Sequence, residues 1–486
     1  MASSLIVVLI QLIFTCAAGW LLWKAWRRLA AVNARAGLLI GAGLIIRALL
    51  AQAMYWISYL HLPIARSLQD GDGFWSLALD GHAYFVYAHQ LLTHGWSAVV
   101  LINKTLPSPV FLQILALFQL LFGDAASVGA LLNLFAYLGA CAAILRLGRA
   151  ADGQLITPAL IALAALSFGP AVIIWSVQPL KDPFFIFAVT AFVAACTLWQ
   201  EAWRGRLAAS RFVEPLLLML IIMYTVAGIR WYFAFLLWIA SLVFFAAATW
   251  RSNRRVVAAV TNAIVFFALA LMIIFAGGPY VKRRLGLGSG EENRRPSLAA
   301  AIVESRENFD RTHVNTMITS GTALQKVDEA PPVRIAEREI ETAPKQIASP
   351  PTGSLLPQST FTRVIAGLTA VVLPHFIGEH LGLIHIGGGR GLWAIVETDT
   401  LVFDALLLLA LYYTFGTLAR GAWRNPSFWL VTITTAGITI LLAYTISNFG
   451  TLFRHRAMIF IGLCLMLVVA RETPRDPVPN DVGSES

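Results

Sequence analysis

Charge is what this chain has least of. Only 13% of its 486 residues are Asp, Glu, Lys or Arg, about half the roughly 25% of a soluble domain. Mean hydropathy is +0.72, which excludes a soluble globule. Cysteine is scarce too. Cys16, Cys141, Cys196 and Cys464 each fall inside an apolar run, with no Cys-x-x-Cys and no Cys/His pairing. Neither a disulfide framework nor a zinc site is therefore supported. Lysine is rarer than its partner cation: six lysines stand against thirty arginines, a bias that points to a GC-rich bacterial genome. The net charge of +10 comes without a basic stripe interleaved with aromatics, so a nucleic-acid partner is not expected. No internal repeat is visible.

What is there is apolar length. Runs of about 20 residues recur, the length that crosses about 30 Å of hydrocarbon as helix. Inside lipid, each such segment has to pair its own backbone groups and so must be helical. The expected fold class is an all-α polytopic membrane protein, a bundle of about 11 crossings (11–13) with external interfacial helices. The spans read as 4–23, 37–60, 127–146, 155–175, 184–200, 213–228, 232–250, 256–276, 400–418, 426–446 and 455–471.

Short basic loops set the orientation. Residues 24–35, 146–150, 201–211, 250–255 and 419–425 carry the arginines and read as cytoplasmic. The opening run lacks a basic n-region, so it reads as a retained helix rather than a signal peptide, with the N-terminus outside and the C-terminus inside. Parity then forbids 107–122 from crossing. At about 15 residues it reads as a helix at the outer interface, and the same argument covers 363–384. The chain divides into four parts: a membrane module over 1–276 with an external loop at 61–107, a long polar external insertion at 277–361, a second membrane module over 362–471, and a polar cytoplasmic tail at 472–486.

The polar content of the external side is concentrated. DGDGFWSLALDGHAYFVYAHQLLTHGW, residues 70–96, holds three aspartates and three histidines straight after an apolar run. Asp70-Gly-Asp72-Gly starts like an EF-hand loop, but the twelfth position is Gly81 where a bidentate Glu is needed. It reads as a turn, with a divalent cation at Asp70 and Asp72 as the alternative. Asp80 precedes a helical periodicity in which Tyr84, Tyr87 and Leu91 share one face. Asp80 is then either the N-cap of that helix or a carboxylate held at the membrane surface. His375, Glu379 and His380 have a spacing a metal could use, but no third firm ligand. Arg47 lies inside a span and needs a partner. Trp75, Trp96, Trp231 and Trp393 fit an interfacial aromatic belt.

The DGHAYFVYAHQLLTHGW segment resembles the first external loop of the GT-C glycosyltransferases. It is most similar to the branch that contains the lipid A aminoarabinose transferase and the protein O-mannosyltransferases. Asp80 and Tyr84 match that branch's Asp-x-x-x-Tyr helix. NKTLPSPVFLQILALFQLLFG, with Lys104, Pro107 and Pro109, is similar to its Lys-Pro-Pro-Leu element and interfacial helix, although here Lys and Pro are not adjacent. Lys181-Asp182 resembles a Ser-x-x-x-x-Lys-Asp pattern at an external helix end. SNFGTLFRHR, with Arg454 and Arg456, resembles an Asn-x-Gly-Thr-x-x-Arg-x-Arg element.

The resemblance implies transfer of a sugar from a polyprenyl-phosphate donor to a lipid, glycan or protein acceptor. The site would lie at the outer face of the bacterial inner membrane. The leaving group is a phosphate anion, so the chemistry needs a base for the acceptor hydroxyl and cations for the phosphate. Asp80 is the expected base, with Asp70 and Asp72 as alternates. Tyr84, Lys104, Lys181, Asp182, Arg230, Tyr232, Arg390, Arg454 and Arg456 are the expected substrate contacts. No cofactor is called for beyond the divalent cation just named. Two other classes compete: a polysaccharide polymerase or ligase using diphosphate-linked oligosaccharide, and a transporter, which favours repeats and broken helices with polar groups at the midplane.

Overall fold

The computed structural model describes residues 2–95, 108–149, 154–204, 210–276, 368, 371, 390–419, 421–445 and 449–469. Two units emerge. One comprises Met1–Asn293, Gly388–Ile438 and Arg456–Ser486; the other comprises Arg294–Gly387 and Thr439–His455. The helix bundle belongs to the first unit.

Among the described residues, nine helices are long and apolar enough to cross a membrane, and a bent pair makes a tenth. The chain is an all-α polytopic membrane protein. Two long helices, α1 (Ala2–Ala30) and α2 (Ala34–Tyr59), form a hairpin. Asn33 caps α2 by accepting the Ala36 N–H at 3.0 Å. The hairpin closes tightly because Gly37 has no side chain: a Cβ there would lie 2.5 Å from that of Ala30.

After α2 comes a two-stranded hairpin, β1 (Gln69–Gly71) and β2 (Phe74–Trp75), then α3 (Leu79–His94). Next is α4 (Pro109–Phe122). Its 14 residues extend about 21 Å, shorter than any of the nine long apolar helices. Proline opens α4 and Gly123, at φ +100°, closes it, the usual asymmetry of helix ends.

The bundle continues through α5 (Ser127–Leu147), α6 (Thr157–Phe168), α7 (Pro170–Ser176), α8 (Asp182–Arg204), α9 (Ser210–Ile229), α10 (Trp231–Trp250) and α11 (Arg255–Ala276). It resumes with α12 (Arg390–Leu418), α13 (Pro426–Thr445) and α14 (Phe449–Val469), the last two carrying their neighbouring ends into the second unit.

The expected span 155–175 is not one helix. It breaks at Gly169-Pro170, where α6 and α7 meet at 52°. Proline has no N–H to continue the ladder, so carbonyls at the end of α6 are left without helical partners. Arg47 of α2 supplies them. Its guanidinium donates to Leu166 O at 2.7 Å, Ser167 O at 2.8 Å and Gly43 O at 3.1 Å, and lies over the Tyr137 ring at 4.2 Å. The partner that Arg47 needed is thus a helix terminus, whose dipole is negative at this end.

Asp399 is buried and Asp404 half-buried on α12. This is tolerated because Asp399 has a backbone N–H and an arginine beside it. Two expectations read differently in the structure. Arg390, named above as a substrate contact, is the first residue of helix α12. Trp75 does not join an interfacial belt: it is buried and donates to Met54 O at 2.9 Å. The insertion 277–361, the segment 363–384 apart from Leu368 and Val371, Trp96 and the tail lie outside the described residues. So do His375, Glu379 and His380.

Candidate functional site

One end of the bundle gathers most of the residues singled out above. At this end α2 and α9 stop, and α5, α8 and α10 begin. The DGDG stretch forms the turn of the hairpin, with Gln69 paired to Trp75 and Gly71 to Phe74. Gly71, Asp72 and Gly73 all take positive φ, which glycine accepts freely and Asp more readily than most residues. The hairpin is tied to the last turns of α2 by Ser58 Oγ donating to Phe74 O at 2.7 Å. Asp70 Oδ2 is 2.8 Å from His82 Nδ1, and the His82 ring stacks on Phe74 at 4.3 Å. Asp72 is exposed at the turn tip.

α3 carries Asp80 in its first turn. Its N-cap is Ala78, so Asp80 is not the cap. It is exposed, and the positive end of the helix dipole favours its charge. The next residue, Gly81, faces the chain entering α8: a Cβ there would lie 3.4 Å from Pro179 and 3.6 Å from Leu180. One helical turn on, Tyr84 is buried against Phe111 of α4, with ring centroids 5.4 Å apart. Of the expected face, Tyr84 and Leu91 are buried, with Ala88 between them, whereas Tyr87 is only half-buried.

Lys181 lies over the Tyr84 ring at 5.1 Å. Its ammonium donates to Ser108 Oγ at 2.7 Å, and Ser108 in turn donates to Ile229 O, the last residue of α9, at 3.0 Å. Beside it, Asp182 accepts from Arg230. Both side chains are only 4% exposed. Arg230 also donates to Tyr232 OH at 2.9 Å and lies over Phe185 at 5.5 Å. Tyr84, Lys181, Asp182, Arg230 and Tyr232 therefore converge, with Asp80 one turn before Tyr84 on α3. Ser108 joins them without having been anticipated. Its position between two prolines just before an apolar helix was the available signal, since Ser is a favoured N-cap; here its hydroxyl serves Ile229 O instead.

Close packing makes the convergence possible. A Cβ at Gly129 of α5 would come within 2.2 Å of Pro179, and one at Gly228 of α9 within 2.1 Å of Val110. These glycines let α5 and α9 approach the turn before α8 and the start of α4.

No protein-family model matches this chain, nor does any curated protein or solved structure. The reading of the site thus rests on its geometry.

The other expected contacts are Arg456, Arg454, Lys104 and Arg390. Arg456 is buried beside α12, donating to Thr400 Oγ1 at 3.0 Å, 3.8 Å from Asp399 Oδ2 and stacked over Phe403 at 4.7 Å. It is not an exposed phosphate contact, because a guanidinium in the bundle interior needs the carboxylate it has found. Arg454 is half-buried on α14, in the second unit. Lys104 and the side chain of Arg390 lie outside the described residues. Among the described residues no group of three or more His, Cys, Asp or Glu side chains is placed to hold a metal ion, and Asp70 is engaged by His82.

The cluster offers a half-buried ammonium, a neutralised ion pair and an exposed carboxylate on the neighbouring helix. Such a set can hold an anion at Lys181 while a base at Asp80 acts on a second, water-borne group.

Proposed function

We propose that the chain is a membrane glycosyltransferase of the GT-C type. In this reading eleven helices cross: the nine long ones, the bent α6–α7 pair and α14. The cytoplasmic arginine loops then orient the cluster toward the outer face of a bacterial inner membrane. The observation that carries the reading is the meeting of Lys181 with Tyr84 on the helix that carries Asp80 in its first turn, beside the short apolar α4.

The chemistry follows from what each group can do. Asp80 takes the proton from an acceptor hydroxyl. The freed oxygen attacks the anomeric carbon, the bond from that carbon to the phosphate oxygen breaks, and the configuration inverts. The polyprenyl phosphate leaves with the bonding electron pair, and the Lys181 ammonium stabilises the charge that develops on it. The Asp182–Arg230 pair carries no net charge and serves to hold the start of α8 against α10. A divalent cation at Asp70 and Asp72 is not needed for any of these steps.

The transporter reading gains one observation, the broken helix α6–α7 with charged groups beside it. In transporters the open ends of such helices face the substrate. Here Arg47 and Asp399 occupy both ends, which favours the enzyme.

The test is transfer from a panel of radiolabelled polyprenyl-phosphate sugars by membranes containing the wild type or Asp80→Asn at equal expression. Loss of transfer with donor binding retained is the expected result. Full activity in the variant removes Asp80 and moves the base to Asp70 or Asp72. If the wild type uses diphosphate-linked donors and no monophosphate donor, the polymerase or ligase reading replaces this one.

A further inference from the structure

The break between α6 and α7 exposes backbone groups on both sides, and a membrane bundle must satisfy them from within. On the α7 side the partner is Asp399, whose Oδ1 accepts the Ala171 N–H at 2.8 Å. The other oxygen of the same carboxylate faces Arg456 at 3.8 Å, and Arg456 is steadied by Thr400 and Phe403. Asp399 is therefore shared between a helix terminus and a buried cation, near the start of the span that begins at Glu397.

What α7 leads to gives this arrangement its significance. α7 runs seven residues, about 10 Å, toward the cluster. Its far end is tied to α5, where Asn133 Nδ2 donates to Ser176 O at 3.1 Å and to Gln178 O at 2.7 Å. Gln178 O also accepts the Leu180 N–H at 2.7 Å. The next two residues are Lys181 and Asp182. The chain from Ala171 to Lys181 thus runs from the Asp399 carboxylate to the site and is tied to α5 on the way.

We propose that Asp399, held by Arg456, is a positioning residue: by pinning the start of α7 it sets where Lys181 and Asp182 stand against Ser108 and Arg230. The positioning stands on geometry alone. Only its consequence for turnover rests on the glycosyl-transfer reading. In that reading Arg456 acts on the phosphate site through Asp399 and α7 rather than by touching the phosphate.

The test uses the full chain in membranes. Cys16, the exposed one of the four cysteines, is replaced by serine, and Lys181→Cys reports the position of the α8 start through its rate of modification by a small water-soluble maleimide. Asp399→Ala removes both the cap and the charge, and is expected to raise the rate about tenfold, which corresponds to about 1.4 kcal/mol in the local opening equilibrium. Asp399→Asn keeps an oxygen for Ala171 but strands Arg456, and should raise the rate about threefold. Asp399→Asn combined with Arg456→Gln keeps the cap with no stranded charge, and should return the rate to within about twofold of the parent. If Asp399→Ala does not fold, Asp399→Asn and the rescue by the double variant decide the matter.

Rates within twofold of the parent in the folded single variants overturn the proposal. With Lys181 retained, Asp399→Asn should raise the donor KM more than it lowers kcat. A changed thiol rate in a chain that uses no sugar donor keeps the positioning and rejects the glycosyl-transfer reading. An unchanged rate in a chain that transfers sugar does the reverse.

Discussion

Replacing Arg230 by Met leaves the Asp182 carboxylate buried at 4% exposure with its guanidinium partner gone. Stranding one charge of such a pair costs about 3–5 kcal/mol. Asp182→Leu strands the guanidinium instead, but Tyr232 OH and the Phe185 ring remain beside it, so its cost should fall at the lower end of that range. The double variant Asp182→Leu/Arg230→Met removes both charges in favour of apolar volume and should come back to within about 1 kcal/mol of the wild type. The assay is reversible unfolding in mixed micelles, followed by tryptophan fluorescence, on the four chains of the cycle. Donor binding measured on the same samples separates stability from function, since a pair that only holds α8 to α10 is replaceable without loss of binding. A cost for Arg230→Met below about 1 kcal/mol, the level of an exposed pair, would refute the reasoning, because the carboxylate would then be reaching water.

The packing yields three further expected outcomes. Gly129→Ala places a methyl 2.2 Å from Pro179; overpacking of this kind costs about 1–3 kcal/mol, and thermal unfolding should show it, with an unchanged melting point counting against the close approach. Arg47→Met strands the carbonyls of Leu166 and Ser167 at about 1–3 kcal/mol each, and Arg47→Lys should recover only part of the loss, because one ammonium lacks the guanidinium fork. His82→Ala breaks an exposed pair with Asp70, at 39% and 32% exposure, and should change stability by less than about 1 kcal/mol; a larger loss would mean that the stacking on Phe74 matters more than the charge.

Much of the candidate site was legible because its residues announce themselves locally. The Asp-x-x-x-Tyr spacing places Tyr84 one turn after Asp80, and the structure buries that face against α4. Lys181-Asp182 stands where an apolar run begins, so its place at a helix start followed from solvation alone. Arg456 was misassigned by the same logic, since an arginine near a span end reads as exposed. The chain instead buries it against Asp399 on a different helix, a pairing no local pattern encodes. Ser108 went unnoticed because a lone serine between prolines has no chemistry until Lys181 is set beside it.

By itself the sequence determined which stretches are apolar and helical, that α4 is shorter than the long apolar runs, and which loops carry the arginines. Each residue carries its own preference for water or hydrocarbon, and that preference acts over the length of one segment. Tertiary structure alone decided that Lys181 meets Ser108 across 73 residues, that Arg230 meets Asp182 across 48, and that Ala171 finds Asp399 across 228. Such meetings depend on how closely helices approach and at what angle. That is set by the absent side chains of Gly129 and Gly228 and by the bend at Gly169-Pro170, whose effect exists only once two helices are packed together.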